Sequence, residues 1–183
     1  MIIKSYEIKK NKSNLLKFNF FLMYGENLGL KKDIKEIIKN VIQNNTSDTE
    51  IISLYQDEIL ENKQNFYDLI YSGSLFGNKK VITIHKATDK MFNEISDIYN
   101  KYPESIYLIL FSDILEKKSK LRIFFEKEEK TICTPCYLDN EKDLEIIAIT
   151  ELKNNNIKLP REAINLLIEK SNSDRDNLKN EMK

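Results

Sequence analysis

The sequence predicts an α/β fold: a mainly parallel sheet with helices on both faces, followed by a small all-helical unit. Two observations carry this. Up to about residue 139, short apolar runs of strand length alternate with segments whose apolar residues recur at helical spacing, the signature of βαβ units. After that point no strand signal remains. The expected division is therefore 1–139 for the α/β part and 140–183 for the helical part.

The elements follow in order. Residues 18–24 form an apolar run that stops at Gly25, as a buried strand would, and Ile34, Ile37, Ile38, Val41 and Ile42 then mark a helix. Residues 50–55 read as a second strand. Phe66, Leu69 and Ile70 share one helical face, and residues 81–85 are a third strand. Met91, Phe92, Ile95, Ile98 and Tyr99 line another helix, which Pro103 ends. Residues 106–111 are the most continuous apolar run and the expected central strand. A helix is expected over 115–125 and a strand over 130–133. Beyond Asp139, Leu144, Ile147 and Ala148 mark one helix, and Ile164, Leu167 and Ile168 a second. Ser173 is the expected N-cap of a third. The helical pattern runs to Met182–Lys183 with no C-cap signal, so a truncated or excised chain is the expectation.

One turn breaks the usual rule for loops. Residues 72–80 read Ser72-Gly73-Ser74-Leu75-Phe76-Gly77-Asn78-Lys79-Lys80, with two large apolar side chains between two glycines. Burying a Leu or Phe is worth about 1.5–3 kcal/mol, so exposing both would be wasteful without a use. Either the pair folds back onto the core, or it anchors in a pocket on another protein. On these residues alone the first reading is the simpler.

Composition narrows the classes. The chain has 183 residues, is 41% hydrophobic and 32% charged, and carries 29 basic against 29 acidic residues. This describes a globular protein of one ordinary domain plus a small one, and argues against an extensive nucleic-acid surface. The basic cluster Lys117-Lys118-Ser119-Lys120-Leu121-Arg122 reads most simply as solvated surface. No apolar run approaches the roughly 18 residues of a membrane helix, and the N-terminus lacks the layout of a signal peptide. No membrane association and a cytoplasmic location are expected.

Phosphate chemistry is looked for where the first strand meets the first helix, at Tyr24-Gly25-Glu26-Asn27-Leu28-Gly29-Leu30-Lys31-Lys32. A working P-loop needs G-x-x-x-x-G-K-[ST], whose amides wrap the phosphates while Lys and a hydroxyl serve charge and Mg²⁺. Here Gly25 and Gly29 stand one residue too close, no Ser or Thr follows Lys31 or Lys32, and Glu26 lies inside the loop. The acidic pair that should close the central strand is replaced by Ser112-Asp113, where Asp113 reads as a turn or cap residue. The loop at Gly25, Gly29 and Lys31 is therefore degenerate, with no cofactor and no metal expected. His85 is the only histidine, which excludes a Ser-His-Asp set. Cys133-Thr134-Pro135-Cys136 has no further ligands for zinc and ends a strand rather than starting a helix, so structural cysteines are expected over a redox pair.

Taken in order, four stretches resemble the delta subunit of the bacterial DNA polymerase III clamp loader. Leu22-Met23-Tyr24-Gly25-Glu26 resembles the family's first strand and inactive loop. Residues 74–81 resemble its clamp-contacting turn and the strand after it. Residues 108–113 with 115–121 resemble its central strand and basic helix start, and 159–183 its helical lid. The resemblance implies an AAA+-like (P-loop-NTPase) fold that does not hydrolyse ATP. It also implies a non-catalytic subunit of a DNA-directed DNA polymerase (nucleotidyltransferase) holoenzyme acting in DNA replication. The family's collar domain has no counterpart here.

The implied partners are the sliding clamp (beta), the delta prime and gamma/tau subunits of the loader, and DNA only through the assembled complex. Leu75 and Phe76 would enter a hydrophobic pocket on the clamp, with Gly73 and Gly77 letting the turn project them and Ser74 at the rim. An AAA+-like adaptor for another partner, a divergent ATPase, and a thiol oxidoreductase built on Cys133 and Cys136 are the alternatives.

Overall fold

The computed structural model describes residues 1–44, 49–72 and 79–182. Five strands form one sheet: β1 (Phe20–Tyr24), β2 (Thr49–Tyr55), β3 (Lys79–His85), β4 (Ile106–Ser112) and β5 (Thr131–Pro135). Their spatial order is β2-β3-β4-β1-β5, and every pairing is parallel. All seven residues of β4 are buried, and β4 is the middle strand, as its unbroken apolar run requires. The carboxyl ends of β1, β4 and β5 adjoin, with Tyr24 in register with Ser112 on one side and Pro135 on the other.

Side-chain alternation along the strands sorts the helices into two layers. Phe20, Leu22, Leu108, Leu110 and Cys133 face one way. They meet Ile59 of α3 (Gln56–Glu61), Phe66 and Ile70 of α4 (Lys63–Tyr71), Ile95 and Ile98 of α5 (Phe92–Lys101), and Leu121 and Phe125 of α6 (Lys120–Lys127). Phe21, Met23, Ile109, Phe111, Ile132 and Cys136 face the other way. They meet Ile8 of α1 (Ser5–Lys10) and Ile34, Ile38 and Ile42 of α2 (Leu28–Gln43). The chain start runs beside β5, where the Ile3 amide donates to the Cys133 carbonyl and the Cys133 amide to the Met1 carbonyl. That covers one edge of the sheet.

Three further helices, α7 (Glu141–Asn154), α8 (Arg161–Lys170) and α9 (Arg175–Glu181), pack around Leu144, Ala148 and Leu178. Among the described residues no helix is long and apolar enough to cross a membrane.

Two predicted helix starts differ from the structure. The helix expected from Leu115 begins only at Lys120, because capping fixes its start. The Ser119 hydroxyl accepts from the Arg122 amide, while Asp89 accepts from the Ser119 hydroxyl (2.5 Å) and from the Lys120 and Leu121 amides. The cap of α9 is Asp174, which accepts from the Asn177 amide, and not Ser173. Ser173 instead has φ +60°, beside Asn172 at +50°, and these left-handed residues turn the chain out of α8.

Candidate functional site

The β1–α2 loop lies at the carboxyl ends of the central strands, where an open α/β sheet offers its binding crevice. Gly25 has φ +124°, and its amide donates to the Asp113 carbonyl (3.1 Å). Asp113 thus takes part in the turn through its backbone, as the sequence suggested. A Cβ on Gly25 would collide with the Cys136 carbonyl, so the end of β5 lies flush against this glycine.

Asn27 links the loop to α2 and to the segment that follows β5. Its amide donates to the Cys136 carbonyl (3.0 Å), and its side-chain oxygen accepts from the Leu30 amide (2.9 Å), capping α2. Its side-chain nitrogen donates to the Tyr137 carbonyl (3.0 Å) and to Asp139 (2.8 Å). The Gly25, Asn27 and Leu30 amides, in the stretch where a P-loop would receive a phosphate, are therefore bonded within the chain. Lys31 is 3% exposed, and its ammonium donates to the Ser112 carbonyl at 2.7 Å. Burial pushes its pKa down, against an upward pull from Asp113 and the Cys136 thiol.

Above the first turn of α2 stands Arg175. A Cβ on Gly29 would lie 2.5 Å from the Arg175 Cγ, so only glycine leaves room for this side chain. The guanidinium makes a two-pronged pair with Asp139, through Nε at 2.8 Å and through the second nitrogen, and reaches Asp33 of α2 at 3.0 Å. Arg175 and Asp139 side chains are each 5% exposed. Burial alone would lower the guanidinium pKa, yet the bonds to Asp139 and Asp33 raise it. Outside this buried pair, Lys179 bonds Asp33 at 2.6 Å and Lys32 bonds Asp176 at 2.8 Å. The degenerate loop is thus covered by an arginine from the helical unit, held by a planar fork that lysine could not reproduce.

The proposed anchor residues Gly73, Ser74, Leu75, Phe76 and Gly77 lie outside the described residues. The described residues beside them are tied together. Lys80 is buried, and its ammonium donates to the Leu69 carbonyl (2.9 Å), the Ser72 carbonyl (2.9 Å) and the Ser72 hydroxyl (3.1 Å). A residue of β3 therefore caps the carboxyl end of α4. Tyr71, nearly half exposed, stacks parallel to Tyr67 with ring centroids 6.5 Å apart.

The remaining candidates are accounted for by packing. Cys133 belongs to one layer of the core and Cys136 to the other, so the two thiols lie on opposite faces of the sheet. Burial pushes both up to about 12, which removes the thiolate a redox pair needs. His85 lies against Tyr55 and Phe111, each 5.2 Å away by ring centroid, with Nε2 at 3.1 Å from the Ser53 hydroxyl. Among the described residues no group of three His, Cys, Asp or Glu side chains could hold a metal ion.

Of the basic cluster, Lys117 and Lys118 are exposed as expected. Arg122 departs from that reading. Its guanidinium lies 4.6 Å over the Tyr24 ring and donates to Glu126 and the Leu115 carbonyl.

Sequence reasoning did not find Asn27, Asp139, Arg175 or Lys80. One signal was there. Only Arg122, Arg161 and Arg175 are arginines in a chain with 29 basic residues, and two of the three occupy stacked or two-pronged sites.

Comparison with known proteins bears on the whole chain. The model of the family described as DNA polymerase III, delta subunit, matches residues 21–136. A probable DNA polymerase III subunit delta from Rickettsia prowazekii (strain Madrid E) is 29% identical over 160 residues, covering 82% of this chain and 44% of the relative. The chain thus spans less than half the length of that curated relative.

Among solved structures, the Bacillus subtilis DNA clamp loader delta protein (YqeN) matches with a TM-score of 0.65 at 14% identity. That match covers 97% of this chain and 55% of the other. Domain III of the Thermotoga maritima replication initiation protein DnaA gives 0.56 at 15% identity, over 96% and 77% of the two chains. The Thermotoga maritima RuvB Holliday junction branch migration motor gives 0.56 at 16%, over 94% and 58%. At these identities the structural matches speak for the fold alone, and that fold is AAA+-like.

Proposed function

The chain belongs to the family of DNA polymerase III delta subunits, and from that premise we propose that it binds the sliding clamp and helps open the ring for loading onto DNA. The observation that carries this reading is the family match across residues 21–136, a range that includes residues 73–77. Leu75 and Phe76 are the proposed wedge, Gly73 and Gly77 the residues that let it project, and Ser74 its rim. A wedge opens a ring only by contacting the strained form better than the closed one. The stems of such a turn therefore need a firm base, and the Lys80 bonds to Leu69 and Ser72 support one. In this reading the loader's delta prime and gamma/tau subunits are the further partners, DNA is met through the assembled complex, and the cytoplasm is the place of action.

The subunit contributes no catalysis of its own to the polymerase holoenzyme. Supporting that view, Lys31 is bonded to Ser112, Asn27 caps α2, and Arg175 stands over Gly29. The direct test follows release of labelled clamp from nicked circular DNA on adding this chain, without ATP. Release by wild type and none by a folded Leu75→Ala/Phe76→Ala variant is expected. Equal release by both would remove the wedge from the account.

A further inference from the structure

The contact between α9 and the start of α2 does more than fill space. Arg175 is the first residue of α9, Asp139 lies between β5 and α7, and Asp33 belongs to α2. One guanidinium therefore joins all three parts: the helical unit, its connection to the sheet, and the helix behind the degenerate loop. Asp139 is fixed in turn by the Asn27 side chain. Lys179–Asp33 and Lys32–Asp176 run alongside, but their partners are 25–55% exposed and contribute less. The buried member decides, since removing one partner of such a pair strands the other charge away from water.

We propose that Arg175 is a permanent strut that sets the angle between the three-helix unit and the α/β layers with no ligand present. A nucleotide between the two units would have to displace the Arg175–Asp139 pair and the Asn27 cap together. The helical unit is consequently locked against the sheet whether or not nucleotide is supplied.

The test measures amide exchange across the whole chain, together with the distance between spin labels at Lys117→Cys and Glu162→Cys, both exposed positions. Wild type should give one narrow distance distribution that millimolar Mg-ATP leaves unchanged; a shift or broadening with Mg-ATP would overturn the proposal. In Arg175→Met the distribution should broaden, and exchange in α9 should quicken by at least about tenfold while β1 and β4 stay protected. Unchanged distances and exchange in that variant would overturn it equally. If Arg175→Met does not fold, Arg175→Lys decides by the same readouts, because it keeps the charge and loses the fork. None of these readouts involves the clamp, so the strut and the wedge stand or fall separately.

Discussion

Gly25 and Cys136 meet backbone to backbone at the end of the sheet: a Cβ on the glycine would stand 2.7 Å from the Cys136 carbonyl carbon. In a phosphate-binding loop a glycine here would serve the ligand. In this chain it serves the join between β1 and β5, and its φ of +124° adds a second reason for glycine. Gly25→Ala should therefore destabilise the fold by on the order of 2–3 kcal/mol in urea melts. A variant as stable as wild type would contradict this packing role.

Lys80 bonds two carbonyls and a hydroxyl at the end of α4, with Glu50 at 4.0 Å. Lys80→Met keeps the length of the stem and leaves the Ser72 carbonyl without its donor, while the Leu69 carbonyl keeps only the Ser72 hydroxyl at 3.3 Å. A loss of about 2–3 kcal/mol is expected. If the base of the turn matters as proposed, clamp affinity should fall even at temperatures where the variant is fully folded. Unchanged affinity would separate Lys80 from the wedge.

Asp89 gives a pH-dependent case. Burial alone would raise its pKa, but bonds from the Ser119 hydroxyl and the Leu121 and Lys120 amides hold it below 3.8. A carboxylate depressed in the folded state stabilises above its unfolded pKa, and that contribution is lost as pH falls through the folded value. The group is largely exposed, so solvent screening keeps the effect small. Asp89→Asn should cost about 0.5–1 kcal/mol at neutral pH, as expected of a helix cap. The gap to wild type should close below pH 3.8. A gap that persists in acid would assign the loss to packing.

The cysteines provide a sharper test of the oxidoreductase alternative. With both thiols buried and pushed up to about 12, neither should react with iodoacetamide at pH 8 in the folded protein. Both should react after unfolding. Fast labelling of either thiol in the native state would reopen the redox reading.

The sheet was legible because its signal is local. Five short apolar runs, each bounded by a helical period, place β1 to β5 and put β4 at the centre. The helix starts at Lys120 and Arg175 were harder, because the decisive caps come from Asp89, thirty residues upstream, and from Asp174 beside the more conspicuous Ser173. The degenerate loop could be recognised by what it lacks. What occupies it could not, since Asn27, Asp139 and Arg175 are far apart in sequence and meet only through the fold. Arginine used sparingly among lysines was the one written clue.

The central claim concerns Leu75 and Phe76, and calorimetric titration of the sliding clamp from the same organism tests it most directly. Wild type and a Leu75→Ala/Phe76→Ala variant of matched thermal stability are compared. The account predicts clamp binding by wild type and a loss of about 3–5 kcal/mol in the variant, as for a hot spot. Equal affinity in the two folded proteins, or no binding by wild type, would contradict it.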